Sequence, residues 1–266
     1  MNNKLSLHQF IIQYSKQLTK QGISNGKNEI IWYLECLQIC NNKNLYLNDI
    51  VLTPQLRLAI EDFGKQRLKG VPFQYIIKKG TFYGRDFFIN SYTLIPRPET
   101  EALINCLKNK YFNKALEIGT GSGIISLTLL KEKIIQTAVA TDISNSILAV
   151  AKKNALNMNL SNITFTLHDF LHENITGKYD LIISNPPYIS VKEYNQLSYS
   201  IKNYEPRIAL TDNNDGLDFY IRFANILRNI LNPNGLFVCE LGSAKTITAV
   251  TTIFKNKNYN IQILKD

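Results

Sequence analysis

The sequence predicts an α/β protein in which a small amino-terminal bundle of helices precedes a doubly wound parallel sheet. From residue 114 onward, short apolar segments typical of strands alternate with segments of helical periodicity. Such alternation is typical of a parallel sheet that is covered by helices on both faces. Residues 4–70 show only helical periodicity, and glycines interrupt it.

Three helices are predicted before residue 70. Apolar residues recur at helical spacing over 5–18, 30–39 and 56–68. Gly22 and Gly70 are predicted to end the first and the third of these helices. A proline directly before the third segment fits the first position of a helix, where its missing N–H has no partner to lose.

Six strands are predicted in the rest of the chain, at 114–118, 135–141, 162–167, 179–184, 235–241 and 259–264. Before them, aromatic residues on both sides of a glycine predict a hairpin that links the bundle to the sheet. The predicted domains are residues 1–79 for the helical bundle, 80–95 for the hairpin linker and 96–266 for the sheet.

Composition narrows the class of protein. The hydrophobic content of 45% permits a sizeable core. No apolar run approaches the roughly 18–20 residues of a membrane span, and the first residues are too polar for a signal peptide. We therefore expect a cytoplasmic protein that does not associate with membranes. The net charge of +9 can attract nucleic acid or an acidic protein, but it can equally follow from a composition rich in Lys, Asn and Ile.

The four cysteines and three histidines are scattered through the chain. No Cys-x-x-Cys pair occurs, and no histidine lies at a spacing typical of zinc ligands. We expect neither a metal site nor a disulfide.

A glycine-rich loop follows the first predicted strand of the sheet, and it consists of Gly119, Thr120, Gly121, Ser122 and Gly123. Glycine tolerates positive φ and lets a ligand approach the backbone. The next strand ends at Asp142, whose carboxylate can accept hydrogen bonds from both hydroxyls of a ribose. The spacing of the glycines differs from the dinucleotide fingerprint. It fits S-adenosyl-L-methionine better, because this cofactor has no pyrophosphate, and Phe170 could stack on its adenine.

The fourth predicted strand of the sheet ends on Asn185, Pro186, Pro187 and Tyr188. Consecutive prolines cannot continue a sheet ladder, and Pro186 favours an extended conformation at Asn185. The Asn185 side chain and the Pro186 carbonyl are therefore held at the carboxyl end of a strand, where open α/β sheets bind ligands. Both groups can accept hydrogen bonds from one planar NH2 group. The motif predicts methylation of an amino or amide nitrogen, and it does not choose among adenine, guanine and glutamine.

Further strings complete a resemblance to the bacterial release factor glutamine methyltransferases of the HemK type. The similarity covers about residues 24–264. Its landmarks are residues 72–76, 94–101, 119–123, Asp142, 185–188, 204–207 and 215–217. The string 94–101 is the most specific of these landmarks, whereas Asn-Pro-Pro-Tyr is shared with enzymes that methylate DNA adenine or RNA guanine.

The resemblance implies a Rossmann-like class I sheet that uses S-adenosyl-L-methionine. The implied reaction is N5-methylation of the glutamine in the Gly-Gly-Gln motif of class I peptide chain release factors, which the helical bundle would help to dock. The implied catalytic residues are Asn185, Pro186 and Tyr188, and Pro187 would join them in binding the substrate. The implied cofactor residues are Gly119, Thr120, Gly121, Ser122, Gly123, Asp142, Phe170 and Asn185.

Two expectations qualify the resemblance. An amino methyltransferase of nucleic acid, acting on adenine N6 or guanine N2, is the alternative function. We do not expect a nucleic-acid partner, because the amino-terminal part has no stripe of basic and aromatic residues.

Sheets of this family usually finish with an antiparallel pair of strands, whereas this chain ends at Asp266, after its sixth predicted strand. A seventh strand is therefore expected to be short or absent.

Overall fold

The computed structural model describes residues 6–40 and 50–264. The chain divides after Lys78 into two compact units, residues 1–78 and residues 79–266. Part of the first predicted helix, Leu5, lies outside the described residues.

Over residues 6–40 and 50–78, the first unit contains four helices: α1 (Leu7–Lys20), α2 (Gly26–Cys36), α3 (Pro54–Leu68) and α4 (Phe73–Ile77). Ser6 caps α1 through a capping box with Gln9. The Thr53 side chain caps α3, which begins with a proline. The second helix ends at Cys36 and does not continue to Ile39 as predicted. The chain turns at Gln38, where φ is 57°.

Apolar residues of these helices form the core of the first unit. Ile11, Ile30 and Phe63 are fully buried, and the Tyr33 ring stacks on Phe63 with 4.6 Å between centroids. Arg67 and Glu29 form an ion pair beside this core. Both carboxylate oxygens of Glu29 accept hydrogen bonds from the Arg67 guanidinium, at 2.6 and 3.0 Å, and such a two-point contact fixes the geometry of the pair.

The second unit begins with a hairpin of β1 (Lys79–Phe82) and β2 (Arg85–Phe88). Phe82 and Phe87 from this hairpin are buried in the same cluster as residues of the large sheet. The hairpin therefore belongs to the second unit, in contrast to the linker that the sequence predicted.

The large sheet has five parallel strands in the order β5-β4-β3-β6-β7. The strands are β3 (Phe112–Ile118), β4 (Ile135–Asp142), β5 (Ile163–Leu167), β6 (Tyr179–Ser184) and β7 (Leu231–Cys239). The helices are α5 (Glu101–Asn105), α6 (Ile124–Lys131), α7 (Asn145–Asn157), α8 (Val191–Tyr194), α9 (Tyr199–Tyr204), α10 (Asp218–Ile230) and α11 (Ala244–Asn256). Two single turns of 3-10 helix lie at Pro98–Thr100 and Arg207–Ala209.

Both faces of the sheet are buried. Side chains of a strand alternate between the two faces, so neighbouring residues of one strand enter different clusters. On β3 and β6, Ala115 and Leu181 pack into the cluster that includes α6. Their neighbours Leu116 and Ile182 point to the other face, where they join the cluster that includes α10 and α11. Because both faces are buried, these strands consist almost entirely of apolar residues, and this is the apolar pattern that is visible in the sequence.

The predicted strand 259–264 is wrong, because these residues form no strand in the structure. Alternating apolar residues suggested one, but Ile261, Ile263 and Leu264 are exposed. Alternation alone cannot form a strand, since the backbone N–H and C=O groups also need a neighbouring strand. Among the described residues, β7 is the last strand and forms one edge of the sheet.

The side chain of Asn154 connects α7 to two other segments of the second unit. Its Oδ1 accepts a hydrogen bond from the Phe88 N–H at 2.7 Å, and its Nδ2 donates to the Phe88 carbonyl at 2.9 Å. The same Nδ2 donates to the Ser122 carbonyl at 2.8 Å. The residue is buried, so this single amide fixes the glycine-rich loop against both α7 and the hairpin.

Asn154→Ala is expected to destabilise the protein by about 2–4 kcal/mol, because it leaves the buried groups of Phe88 and Ser122 without partners. Chemical denaturation measures this change in the free energy of unfolding. Asn157→Ala is the matched control, since Asn157 lies on the same helix but is exposed. Equal stability of the two variants would contradict the structural role of Asn154.

Candidate active site

Three strands of the sheet deliver predicted site residues to one edge. Ile118 at the end of β3 pairs with Thr141 of β4 and with Ser184 of β6. The residues that follow, Gly119 and Asn185, therefore leave the sheet side by side. The connections also change direction here, because the chain goes from β3 toward β5 on one side and later through β6 to β7 on the other. Ligands of open α/β sheets bind at such a switch point.

A cavity of about 320 Å³ lies at this edge. Its size is within the range of pockets that hold small molecules, roughly 300–1,000 Å³. Eight of the residues that the sequence predicted for the site line it: Gly119, Thr120, Gly121, Ser122, Asp142, Phe170, Asn185 and Pro187. The cavity thus unites the glycine loop, the acidic strand end and the start of the Asn-Pro-Pro-Tyr motif.

Glycines of the loop have two different functions. Gly119 and Gly121 have φ of 71° and 57°, and a Cβ atom at either position would meet no atom within 4 Å. These two glycines therefore present bare backbone to the open space of the cavity. Gly123 has φ of 83°, but a Cβ there would lie 2.9 Å from Leu127 Cδ1 and 3.3 Å from Ala151 Cβ. It allows α6 and α7 to pack closely and is not among the residues that line the cavity.

The Asp142 carboxylate is fixed by backbone amides. Its Oδ2 accepts a hydrogen bond from the Gly121 N–H at 2.9 Å, and its Oδ1 accepts one from the Ile143 N–H at 2.8 Å. Burial raises the pKa of Asp142, and these backbone hydrogen bonds oppose the rise. Each carboxylate oxygen still has a lone pair, so the group can accept two further hydrogen bonds from a ligand in the cavity.

Phe170 is both a core residue and a wall of the cavity. Its ring stacks on Phe219 at 5.6 Å and contacts Phe223 at 4.4 Å between centroids. His168 lines the same cavity and was missed by the sequence reasoning. Its position directly after β5 was the available signal, because the carboxyl end of that strand lies at the same edge of the sheet.

Residues of the Asn-Pro-Pro-Tyr motif occupy different layers of the site. Asn185 and Pro187 line the cavity, whereas Pro186 and Tyr188 do not, and Tyr188 packs against the cluster that includes α10 and α11. A Cβ on Gly242 would lie 2.7 Å from Tyr188 Cδ2, so that glycine makes room for the ring. The Tyr188 hydroxyl donates to Glu240 Oε1 at 3.2 Å. Burial, followed by the charge of Glu240, raises the pKa of Tyr188 to about 12.

The sequence reasoning also missed four polar residues around the motif: Arg97, Thr100, Glu205 and Glu240. Thr100 Oγ1 accepts a hydrogen bond from Asn185 Nδ2 at 3.1 Å and donates to Glu240 Oε2 at 2.7 Å. Arg97 lines the cavity, and its Nη2 contacts both oxygens of the buried Glu205 carboxylate at 2.7 Å. Two of these residues, Arg97 and Thr100, lie in the string 94–101. The specificity of that string for the family was the signal that could have identified them.

Glu117, next to the end of β3, is a fully buried carboxyl group behind the glycine loop. Its Oε2 accepts hydrogen bonds from Thr120 Oγ1 at 2.7 Å and from the Ser126 N–H at 3.3 Å. Its Oε1 has no partner among the described residues. Burial raises the pKa of Glu117 to about 7, although the hydrogen bonds from Ser126 and Thr120 oppose the rise.

Comparisons with known proteins agree with this geometry. Residues 98–201 match the methyltransferase small domain, and residues 9–77 match the PrmC N-terminal domain. The release factor glutamine methyltransferase of Bacillus subtilis is 40% identical over 74% of this chain and 72% of its own length. The chain belongs to the release factor glutamine methyltransferase family.

Some relatives of this family are longer proteins. The bifunctional methyltransferase of Rickettsia felis is 36% identical over 98% of this chain, yet the chain spans only 56% of that relative's length. A methyltransferase structure from Pyrococcus furiosus superposes with a TM-score of 0.53 at 18% identity, over 76% of this chain and 90% of the other. This likeness confirms the predicted fold class. In the described part of the chain, no helix is long and apolar enough to cross a membrane.

Membership in the family makes S-adenosyl-L-methionine the cofactor, and the residues at the cavity fit it. The backbone at Gly119 and Gly121 leaves open space for close approach of a ligand. The Asp142 carboxylate has acceptor capacity for the ribose hydroxyls. Phe170 offers an aromatic wall for the adenine.

The raised pKa of Glu117 leads to a test by pH. The folded state holds the Glu117 proton up to about pH 7, whereas the ordinary pKa of a glutamic acid side chain is 4.5. The folded protein therefore binds more protons than the unfolded chain between these pH values, so this group's stabilising contribution is lost as pH rises through them. Glu117→Gln cannot ionise and should lack this loss, which amounts to at most about 3 kcal/mol.

Urea unfolding of both proteins between pH 5 and pH 8 measures the difference. The comparison isolates Glu117, because other titrating groups such as Asp142 are present in both proteins. We expect the stability of Glu117→Gln relative to the native sequence to increase over this range. A constant difference would mean that Glu117 is ionised in the folded protein throughout.

Proposed function

We propose that this protein transfers a methyl group from S-adenosyl-L-methionine to the N5 nitrogen of the glutamine in the Gly-Gly-Gln motif of class I peptide chain release factors. The observation that carries the proposal is the placement of Asn185 beside Gly119 at the carboxyl edge of the sheet. One cavity thereby combines a cofactor loop with an acceptor for a planar NH2 group. Release factors act in the cytoplasm, which is where we place the reaction.

The proposed reaction depends mainly on positioning of the glutamine amide nitrogen and on electrostatic stabilisation of the charge that develops on it. An amide nitrogen is a weak nucleophile, because its lone pair is delocalised into the carbonyl. The bound cofactor supplies an electrophilic methyl group on a sulfonium sulfur. Asn185 Oδ1 and the Pro186 carbonyl accept the two amide hydrogens and hold the nitrogen in line for direct displacement. The same acceptors stabilise the positive charge that grows on the nitrogen. No strong base is needed, since the proton can leave after transfer.

Neighbouring residues complete the proposed site. Asp142 accepts the ribose hydroxyls, and Phe170 stacks on the adenine, with the loop 119–123 around the methionine part of the cofactor. Pro187 forms the wall against which the glutamine side chain lies. The geometry supports an indirect role for Tyr188, because its hydroxyl is bound to Glu240 and its ring packs at Gly242.

Asn185→Ala is expected to lower kcat by at least about 100-fold, because it removes an acceptor that acts on the developing charge. The dissociation constant for the cofactor should change little. Mass spectrometry of the Gly-Gly-Gln peptide from a release factor measures transfer, and calorimetry measures cofactor binding. Asp142→Asn is the complementary variant, since it should weaken cofactor binding through loss of the ribose acceptor while Asn185 stays intact.

Three outcomes of this experiment oppose the proposal. Near-normal turnover by Asn185→Ala would remove Asn185 from the mechanism. Loss of cofactor binding in that variant would make Asn185 a cofactor residue only. Transfer by the native protein to DNA adenine or RNA guanine, but not to the release factor, would establish the alternative function of a nucleic-acid amino methyltransferase.

We further propose that the first unit docks the release factor. The match of residues 9–77 to the PrmC N-terminal domain supports this assignment. Val51 and Leu58 of this unit are large apolar side chains, each 63% exposed to solvent. Exposed apolar groups of this kind are candidates for contact with a protein substrate.

The double substitution Val51→Ser and Leu58→Ser is expected to raise KM for a whole release factor several-fold, because apolar contact area is lost. Transfer to a short Gly-Gly-Gln peptide should be unchanged, since such a peptide lacks the rest of the release factor that would contact this surface. Leu156→Ser is the matched control, as Leu156 is 75% exposed on α7 of the second unit. An unchanged KM for the whole release factor would remove this pair from the docking surface.

A further inference from the structure

Glu240 has no role in the proposed reaction, yet the sheet places it beside the Asn-Pro-Pro-Tyr motif. It directly follows β7, and its N–H donates to the Ser184 carbonyl at 3.1 Å. Its own carbonyl accepts a hydrogen bond from the hydroxyl of the fully buried Tyr220 at 2.8 Å. These two backbone hydrogen bonds fix Glu240 next to the strand end from which Asn185 extends.

When the Glu240 carboxylate is ionised, the hydrogen bonds around it have only one possible direction. An ionised carboxylate accepts and cannot donate. Thr100 therefore uses its single hydroxyl hydrogen toward Glu240 Oε2 at 2.7 Å, and Tyr188 uses its own toward Oε1 at 3.2 Å. Burial raises the pKa of Glu240, and the hydrogen bonds from Thr100, Tyr188 and Asn185 oppose that rise and favour the ionised form.

This direction determines which atom of Asn185 can face Thr100. The Thr100 hydroxyl donates its single hydrogen to Glu240. Its oxygen can therefore only accept a hydrogen bond from Asn185. Asn185 Nδ2 is a donor and lies 3.1 Å from it. A reversed amide would place Oδ1 against this oxygen with no hydrogen between them, while Thr100 is buried away from solvent.

We propose that Glu240, acting directly and through Thr100, is a positioning residue that fixes the amide of Asn185 with Nδ2 turned toward Thr100 and Oδ1 left for the substrate. This inference rests on the proposed function, in which Oδ1 accepts a hydrogen from the glutamine NH2 group. A reversed Asn185 would present its own NH2 group to that of the substrate, and two donors cannot bond each other. The positioning therefore determines whether Asn185 can act as an acceptor.

Thr100→Val preserves shape and burial but removes the hydroxyl that accepts from Asn185 Nδ2 and donates to Glu240 Oε2. We expect kcat to fall by about tenfold, the scale of one lost hydrogen bond. The cofactor dissociation constant should change by less than about twofold. Thr100→Ser keeps the hydroxyl and should restore most of kcat. Glu240→Gln should lower kcat as Thr100→Val does, because a glutamine NH2 can donate to Thr100 and free its hydroxyl to donate to Asn185 Oδ1.

Thr128→Val is the matched control for loss of a buried hydroxyl. Thr128 is fully buried on α6, and its Oγ1 has no partner among the described residues. It does not line the cavity, so kcat should stay at the native level. Equal losses of kcat in Thr100→Val and Thr128→Val would reduce the effect to general destabilisation and overturn the proposal.

A second measurement needs neither cofactor nor substrate. The side-chain amide of Asn185 can be assigned by 15N NMR from its absence in Asn185→Ala. Its hydrogens should exchange slowly with solvent in the native protein and in Thr100→Ser, and faster in Thr100→Val and Glu240→Gln. Equal exchange in all four proteins would overturn the positioning role even where one variant folds poorly.

The two readouts separate this inference from the proposed function. If the native protein methylates no release factor, the proposed function fails, and slow exchange that depends on Thr100 still supports the orientation of the Asn185 amide. If the native protein is active and Thr100→Val keeps its full kcat, the positioning role fails while the proposed function stands.

Discussion

The parallel pairing of β3 with β6 is the constraint on which the site depends. Ile118 lies opposite Ser184, so Gly119 and Asn185 leave the sheet at the same level. A shift of one residue in this register would turn the apolar side chains of β6 to the opposite faces and would separate the two site residues. Because both faces of these strands are buried in apolar clusters, the core itself enforces the register. The packing that stabilises the sheet therefore also brings together the residues that line the cavity.

Carboxyl groups are buried at the ends of three strands, at some cost in stability. Glu117 belongs to β3, Asp142 ends β4 and Glu240 follows β7, and burial raises the pKa of each. Burying a carboxylate is unfavourable unless donors surround it. Backbone amides supply those donors at Asp142, and hydroxyl groups contribute at Glu117 and Glu240. The fold thus gives up stability at this edge and gains carboxyl groups with fixed positions where ligands bind.

Sequence patterns predicted the parts of the site that are local. Strand periodicity gave β3 to β6 nearly to the residue, and the two motifs placed Gly119 and Asn185 at strand ends. Features that depend on remote packing were not predictable in this way. Gly123 has the spacing of a cofactor glycine, yet the Leu127 side chain determines its role. The segment 259–264 alternates as a strand does but finds no partner, and the hairpin was predicted as a linker because its burial against the sheet leaves no local pattern.

The string 94–101 shows why such remote contacts identify a family more sharply than a catalytic motif. Three of its members contact different parts of the second unit. Pro96 packs where Gly80 lacks a side chain, Arg97 binds the buried Glu205, and Thr100 joins Asn185 to Glu240. A strand end with Asn-Pro-Pro-Tyr requires only an acceptor site for an NH2 group, and different substrates can use it. Simultaneous contacts to four distant segments constrain these three residues at once, so the string marks one particular arrangement of the site.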